Sequence, residues 1–311
     1  MSDYLGFDTS NYTTSAAIIA DGRKVLSSKK LLPVQEGEKG LRQSDAVFHH
    51  TKQMPEVIED LFSNYNGKID AVGSSSRPCD SDRSYMPCFL VGKSNAFCVS
   101  NALGVPFYEF SHQSGHIAAA LYSCGRFDLF EKEFIAFHFS GGTSQALLVK
   151  PDKDRIIIPT VIASTLDLNA GQLVDRVGVM LGLRFPCGKE LEKLALQSDR
   201  KFKINVKLKD GNCCLSGIEN QCRDMINNGE SSCDVAMFCL ENIKSIVDKM
   251  TEKLLSKYSV KDLIYAGGVM SDSVIRDHIQ KKYNGCFASP EYSCDNAAGI
   301  AVLTYLSEKN K

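Results

Sequence analysis

No stretch of this 311-residue chain approaches the ~18 continuous apolar residues of a bilayer span, so no membrane-crossing helix is expected. The first residues, MSDYLGFDTS, carry neither a basic leader nor a long apolar run, so no secretory signal is expected either. No Cys-x-x-Cys occurs among the 12 cysteines. Neither Cys213-Cys214 nor the group Cys79, Cys88 and Cys98 has zinc-ribbon spacing. Scattered thiols without a leader read as reduced cysteines of a cytoplasmic protein. A dominant charge is lacking as well: 36 Lys and Arg against 37 Asp and Glu leave a net charge of -1. The chain as a whole is therefore no electrostatic nucleic-acid binder, although a local basic patch or a partner subunit leaves RNA open. The dinucleotide motif G-x-G-x-x-G and the P-loop G-x-x-x-x-G-K-[ST] are absent, and no His-Glu-x-x-His supports a metalloprotease.

What is present is ordinary globular composition, 43% hydrophobic and 23% charged, in a chain long enough for two lobes of roughly 150 residues each. Residues 4–9 read as a buried strand, 10–14 as a polar turn and 15–20 as the returning strand. A helix over 46–66, a strand over 69–76, a helix over 89–104 stopped by Gly104, and a strand over 105–110 follow. Then the opening recurs: a strand at 134–139, a small polar turn at 140–144 and a strand at 145–150, about 130 residues on, which signals duplication. Helices are expected around 169–183 and 233–257, a strand, two glycines and a helix start over 262–272, and a last helix over 295–309. Residues 200–215 are basic and irregular, as in an exposed loop or hairpin.

Two kinds of chemistry stand out. Ser111 as N-cap and the apolar Ile117, Ala120 and Leu121 predict a helix carrying His112 and His116. A spacing of four puts both imidazoles on one face, where they could grip one cation or be two ordinary polar residues. With no Glu between them, a metal would serve to hold a ligand rather than to hydrolyse a peptide. The second kind is anion binding. Ser140-Gly141-Gly142-Thr143-Ser144 offers amides unobstructed by a Cβ, Asp8-Thr9-Ser10 offers hydroxyls and a carboxylate suited to phosphates, and Ala266-Gly267-Gly268 ends a strand where a nucleotide could lie against backbone. Each alone could be a tight turn. Their order resembles the actin, hexokinase and Hsp70 superfamily.

Within that superfamily HQSGH (112–116), FSGGTSQALLV (139–149), LDLNAGQLVDRVGVMLGLRFPCG (166–188), LSGI (215–218), YAGGVMSDSVIR (265–276) and SPEYSCDNAAGIA (289–301) resemble, in order, the tRNA threonylcarbamoyladenosine synthase family, the glycoprotease-like TsaD-type proteins. The resemblance implies an α/β fold of two duplicated actin-like (ribonuclease-H-like) lobes around a nucleotide and metal cleft, here 1–110 and 111–311, with the last helix packing back on the first lobe. It implies a cytoplasmic acyltransferase that moves a threonylcarbamoyl group from its adenylate to the tRNA adenosine beside the anticodon. One divalent metal, iron or zinc, would be held by His112, His116 and Asp295. His138 is either a further ligand or a buried strand histidine with a hydrogen-bonded partner. ATP or an adenylate would meet His138, Phe139, Ser140, Gly141 and Gly142 at its phosphate, Asp175 and Gly188 at its ribose, and Asp272 on the adenine side. Partners implied are tRNA, a TsaB-type dimerising paralogue and a TsaE-type ATPase. The chain departs from the family pattern at Tyr12 and Thr13, where an Asp-Glu pair is usual, in the loop 78–87, at Ser114 and Gln172 in place of Glu, and at Asp272 in place of Asn. It therefore reads as a divergent paralogue. Carbamoyl transfer to another acceptor and a non-catalytic nucleotide-binding subunit are the rival readings, and no general base stands out.

Overall fold

The computed structural model describes residues 2–10, 12–33, 41–81 and 83–311, so Asn11 of the expected first turn lies outside the described residues. The chain forms two compact units, Met1–Lys132 with Lys150–Pro159 and Glu291–Lys311, and Glu133–Val149 with Thr160–Pro290. The helix with the two histidines and the C-terminal helix both belong to the first unit.

In the first unit, strands β1 (Asp3–Thr9), β2 (Thr13–Ala20) and β3 (Lys24–Leu31) form an antiparallel meander. Helix α1 (Gln43–Ser63), β4 (Ile69–Arg77), α2 (Phe89–Leu103), β5 (Phe107–Ser111) and α3 (His112–Ser123) follow. The sheet order is β3-β2-β1-β4-β5, with β4 and β5 parallel to β1. β1 is buried along its whole length, as a strand covered on both faces must be. One core forms around Leu5, Phe7, Ile18, Met54, Val57 and Val72. Strand β3 escapes the sequence pattern because it is an edge strand: KVLSSKKL is mostly exposed and has no clean alternation.

A second sheet repeats the plan. Strands β6 (Phe134–Phe139), β7 (Ser144–Asp152) and β8 (Ile156–Ser164) precede helices α4 (Ala170–Met180), α5 (Gly188–Ala195), α6 (Ser216–Asn227) and α7 (Ser232–Lys257). Then come β9 (Leu263–Ala266), α8 (Ser273–Tyr283), β10 (Cys286–Phe287) and the short α9 (Pro290–Ser293), before the chain returns to the first unit as α10 (Ala298–Lys309). The sheet order is β10-β9-β6-β7-β8, with β7 antiparallel to β6 and with β9 and β10 parallel to it, the succession seen from β2 to β5 in the first sheet. The duplication expected from two strand-turn-strand openings is thus a duplication of whole sheets. Among the described residues no helix is long and apolar enough to cross a membrane.

Candidate metal centre and nucleotide-binding groups

Helix α3 begins where β5 ends. Ser111 is its N-cap, accepting from the Ser114 amide at 3.1 Å, and Ser111 and Ser114 both donate their hydroxyls to Asp80, at 2.7 and 2.9 Å. Arg77 pairs with the other oxygen of Asp80 at 2.6 Å. The first turn of α3 is therefore anchored to the loop after β4, and Ser114, where a Glu was expected, is buried in this anchor.

The anchored turn presents His112 and His116 to Asp295, which lies in the bend before α10. His116 Nε2 is 2.9 Å from His112 Nε2 and 3.1 Å from Asp295 Oδ1, and His112 Nε2 is 3.6 Å from the same oxygen. These are the residues whose ligand atoms converge among those described. Such spacings suit three atoms on one cation with bonds of about 2.0–2.2 Å. Small residues make the convergence possible. Gly115 of α3 and Gly299 of α10 meet so closely that a Cβ on Gly299 would stand 1.8 Å from the Gly115 carbonyl oxygen.

Behind the imidazoles stands Asp8. Its Oδ1 is 2.9 Å from His112 Nδ1, and it is fully buried. An ionised carboxylate only accepts, so His112 carries a proton on Nδ1, and the Nε2 that faces Asp295 is the atom a cation would take in place of a second proton. Ser10 donates to the second oxygen of Asp295 at 3.0 Å. Burial disfavours a charged His112, but the pull of Asp8 and hydrogen bonds to Asp295 and Asp8 raise its pKa to about 10. Burial also opposes charge on Asp295, yet His112 and His116 hold its carboxyl well below the usual range. Among the described residues the Asp8 Oδ2 atom is buried with no hydrogen-bond partner. An orphaned carboxylate oxygen in a buried setting is costly. The donor set, its spacing and this orphaned oxygen fit a divalent cation of borderline softness.

Asp8 and Thr9 end β1, as the strand expected over 4–9 has them, and the carboxylate and hydroxyl that suited phosphates are engaged within the protein: Asp8 on His112, and Thr9 as donor to the Cys88 carbonyl and acceptor from the Gly92 amide. The sequence signal for Asp8 was an acidic residue at the carboxyl end of a buried strand, and it does not say which side chain that carboxylate meets.

In the second unit the Ser140–Ser144 turn joins β6 to β7. Ser140 and Thr143 make its internal bonds, at 2.7 and 3.2 Å, and these leave the Gly141 and Gly142 amides unengaged among the described residues. A Cβ on either glycine would meet nothing within 4 Å, so the space above them is open. The tight contact lies on the other side: a Cβ on Gly171 would stand 2.5 Å from the Gly141 nitrogen. The first turn of α4 docks there through Gly171 N to Ser140 O at 3.1 Å and Ala170 N to Ser144 Oγ at 2.8 Å. Gln172 closes a capping box with Asn169, a task that Gln and Glu perform alike. His138 and Phe139 are buried at the end of β6, where His138 pairs in register with Gln145 and Ala266.

Asp175 of α4 accepts from the Cys187 amide at 2.8 Å, one residue before Gly188 opens α5. Burial lifts its carboxyl above the usual value, against the pull of that amide. A Cβ on Gly188 would meet nothing within 4 Å. On the same α5, Glu192 accepts from the Ser273 amide at 2.9 Å, which ties in the start of α8. Asp272, expected beside adenine, is the buried N-cap of α8, accepting from the Val274 and Ile275 amides at 2.9 and 3.4 Å. Burial, with Glu192 nearby, raises its pKa to about 7. Gly267, between β9 and α8, has φ of +98°, and a Cβ there would stand 2.2 Å from the Phe139 carbonyl oxygen, so only glycine fits. The structure thus gathers the expected groups into two sets, His112, His116 and Asp295 in the first unit, and 138–142, Asp175, Gly188 and Asp272 in the second.

A sequence profile of the TsaD family, described as tRNA N6-adenosine threonylcarbamoyltransferase, matches residues 24–302. Proteins of that description are similar along nearly the whole chain. The one from Thermosipho africanus (strain TCF52B) is 30% identical over 97% of this chain and 93% of its own, and the one from Campylobacter fetus subsp. fetus (strain 82-40) is 30% identical over 99% and 92%. Among solved structures, HypF of T. kodakarensis superimposes with a TM-score of 0.64 at 14% identity, covering 97% of this chain and 46% of that one. Component A of the Acidaminococcus fermentans (R)-2-hydroxyglutaryl-CoA dehydratase superimposes with a TM-score of 0.58 at 15% identity, covering 100% and 99%. At these identities the superpositions speak to the fold alone.

Proposed function

The chain belongs to the TsaD family of tRNA N6-adenosine threonylcarbamoyltransferases, and from that premise we propose that it transfers a threonylcarbamoyl group from its adenylate to N6 of the tRNA adenosine beside the anticodon. The single observation that carries the metal-dependent form of this reading is the convergence of His112, His116 and Asp295, backed by Asp8, in a chain so matched.

In this reading the three residues hold one divalent cation, iron or zinc. When bound, the cation supplies Lewis-acid polarisation of a donor oxygen. Asp8 fixes the ring of His112 and Ser10 steadies the second oxygen of Asp295, so that the ligand atoms are preorganised. In the second unit the Gly141 and Gly142 amides receive the adenylate phosphate, with His138, Phe139 and Ser140 shaping the turn. Asp175 accepts from ribose hydroxyls with the oxygen that Cys187 leaves over, Gly188 gives the sugar room, and Asp272 lies on the adenine side. Attack by N6 on the carbamoyl carbon forms the C–N bond, the bond from that carbon to the phosphate oxygen breaks, AMP leaves, and N6 gives up a proton. The reaction takes place in the cytoplasm, in a complex with a TsaB-type paralogue and a TsaE-type ATPase.

Mass spectrometry of nucleosides from tRNA incubated with the chain, these partners and the adenylate tests the reading. Threonylcarbamoyl-adenosine is expected from the wild type. The His112→Ala variant is expected to lose both bound metal and product. Product formed at the wild-type rate after metal loss would remove the metal from the reading. An adenylate that binds and is never transferred to tRNA would favour a different acceptor.

A further inference from the structure

The segment Lys201–Lys209, KFKINVKLK, lies outside every helix and sheet, yet its burial alternates residue by residue. Phe202, Ile204, Val206 and Leu208 are half-buried, while Lys201, Lys203, Asn205, Lys207 and Lys209 are exposed. Phe202 meets the edge of Phe238 at 5.3 Å, and Val206 and Leu208 pack on the core of the second unit. Lys249 donates to the Val206 carbonyl at 2.9 Å, and reciprocal bonds of 2.9 Å between Lys209 and Asn212 close the end of the segment. The apolar side is therefore pinned, and the lysines are fixed to the other side.

We propose that Lys201, Lys203, Lys207 and Lys209 bind the phosphate backbone of the tRNA substrate. This rests on the transferase reading for the identity of the RNA, and on three features of the segment for the binding.

Charge is the first. No acidic residue interrupts 201–209, and none of the four ammonium groups is in an ion pair among the described residues. The neighbouring Arg200, by contrast, is neutralised by Glu230 and by Asp234, the latter at 3.7 Å. Four like charges held on one face repel each other until a polyanion arrives. Spacing is the second. Side chains two apart on an extended segment lie about 6.6–7 Å apart, comparable with successive phosphates along a nucleic-acid strand, and the row spans about 26 Å. Context is the third. A chain with a net charge of -1 gains no general attraction for RNA, so such a row is where it could be recruited. A solvated edge that merely keeps the protein monomeric would need no such register.

The test measures tRNA binding by the full chain from 25 to 200 mM salt, roughly the range over which counterion release is read. Each phosphate contact contributes about 0.7–0.9 to the slope of log affinity against log salt. Replacing all four lysines with alanine is expected to lower the slope by about 3 and to weaken binding on the order of a hundredfold at 100 mM salt. Each single Lys→Ala variant should lower the slope by just under about one. The fourfold Lys→Arg variant should keep the wild-type slope, and the thermal midpoints of all variants should match. An unchanged slope overturns the proposal, and so does a wild type that fails to bind tRNA at the lowest salt. The reaction is judged separately, by the modified nucleoside. Product with an unchanged slope keeps the transferase and removes this surface, whereas a lowered slope without product does the reverse.

Discussion

Replacing Gly299 with alanine isolates the contact on which the proposed metal centre depends. The new methyl would stand 1.8 Å from the Gly115 carbonyl oxygen, 2.7 Å from its carbon and 2.8 Å from the Ala119 nitrogen. All three are backbone atoms of α3, so no rotamer change relieves the clash. An ordinary contact needs roughly 3.3 Å or more, so α10 must withdraw from α3 by about 1.5 Å. Overpacking of this kind costs about 1–3 kcal/mol, and more where only backbone can yield. The withdrawal also reaches the site, because His116 follows Gly115 directly and Asp295 is tied to the start of α10 through Asn296, whose side chain accepts from the Ala298 amide at 3.0 Å. A ligand set tolerates deviations of only about 0.2 Å, so the 3.1 Å approach of His116 to Asp295 cannot survive the shift. We expect zinc affinity to fall by roughly 100-fold or more, with a lowered thermal midpoint. Competition against a chromophoric chelator reads the first and a melt reads the second. Gly104→Ala is the control. Gly104 ends α2 at φ +67° with nothing within 4 Å of its Cβ position, so that variant should lose about 1 kcal/mol and keep its metal. A Gly299→Ala protein with wild-type zinc affinity would refute the link between helix approach and ligand geometry.

Asp8→Asn keeps the shape and removes the charge behind His112, so metal affinity should drop by about 10–100-fold while the fold is retained. Equal affinities in a zinc titration would show that Asp8 does not orient the ring. Asp272→Asn retains a helix cap and removes a buried carboxyl whose pKa is raised to about 7. Between about pH 4 and pH 7 the unfolded chain ionises at this residue while the native state keeps its proton, so the wild type loses stability as pH rises through that window. The asparagine variant should lack this loss, gaining up to a few kcal/mol on the wild type by pH 7 and no more above it. Denaturant titrations at pH 4.5 and pH 8 with the same difference between the two proteins would count against it.

Much of the second unit's chemistry lay on the surface of the sequence because it is local. A glycine-rich turn between two apolar strands, a strand ending in Gly-Gly and a capped helix are contiguous patterns, and the structure keeps the 140–144 turn open above Gly141 and Gly142. The role of Asp8 was not legible. A carboxylate near a turn and a carboxylate behind an imidazole have the same sequence neighbours, and the difference lies in the 104 residues that separate Asp8 from its partner His112. That Asp272 caps a helix from inside the protein was hidden for the related reason that burial is not local.

By itself the sequence determined the class of fold, its internal repetition and the pairing of His112 with His116, because strand and helix periods and a spacing of four residues are properties of neighbouring positions. It could not determine that the last helix and the histidine helix share one unit, nor that Asp295 arrives within 3.1 Å of His116 across 179 residues of chain. Tertiary structure decided that, through two glycines whose missing side chains let α3 and α10 touch backbone to backbone.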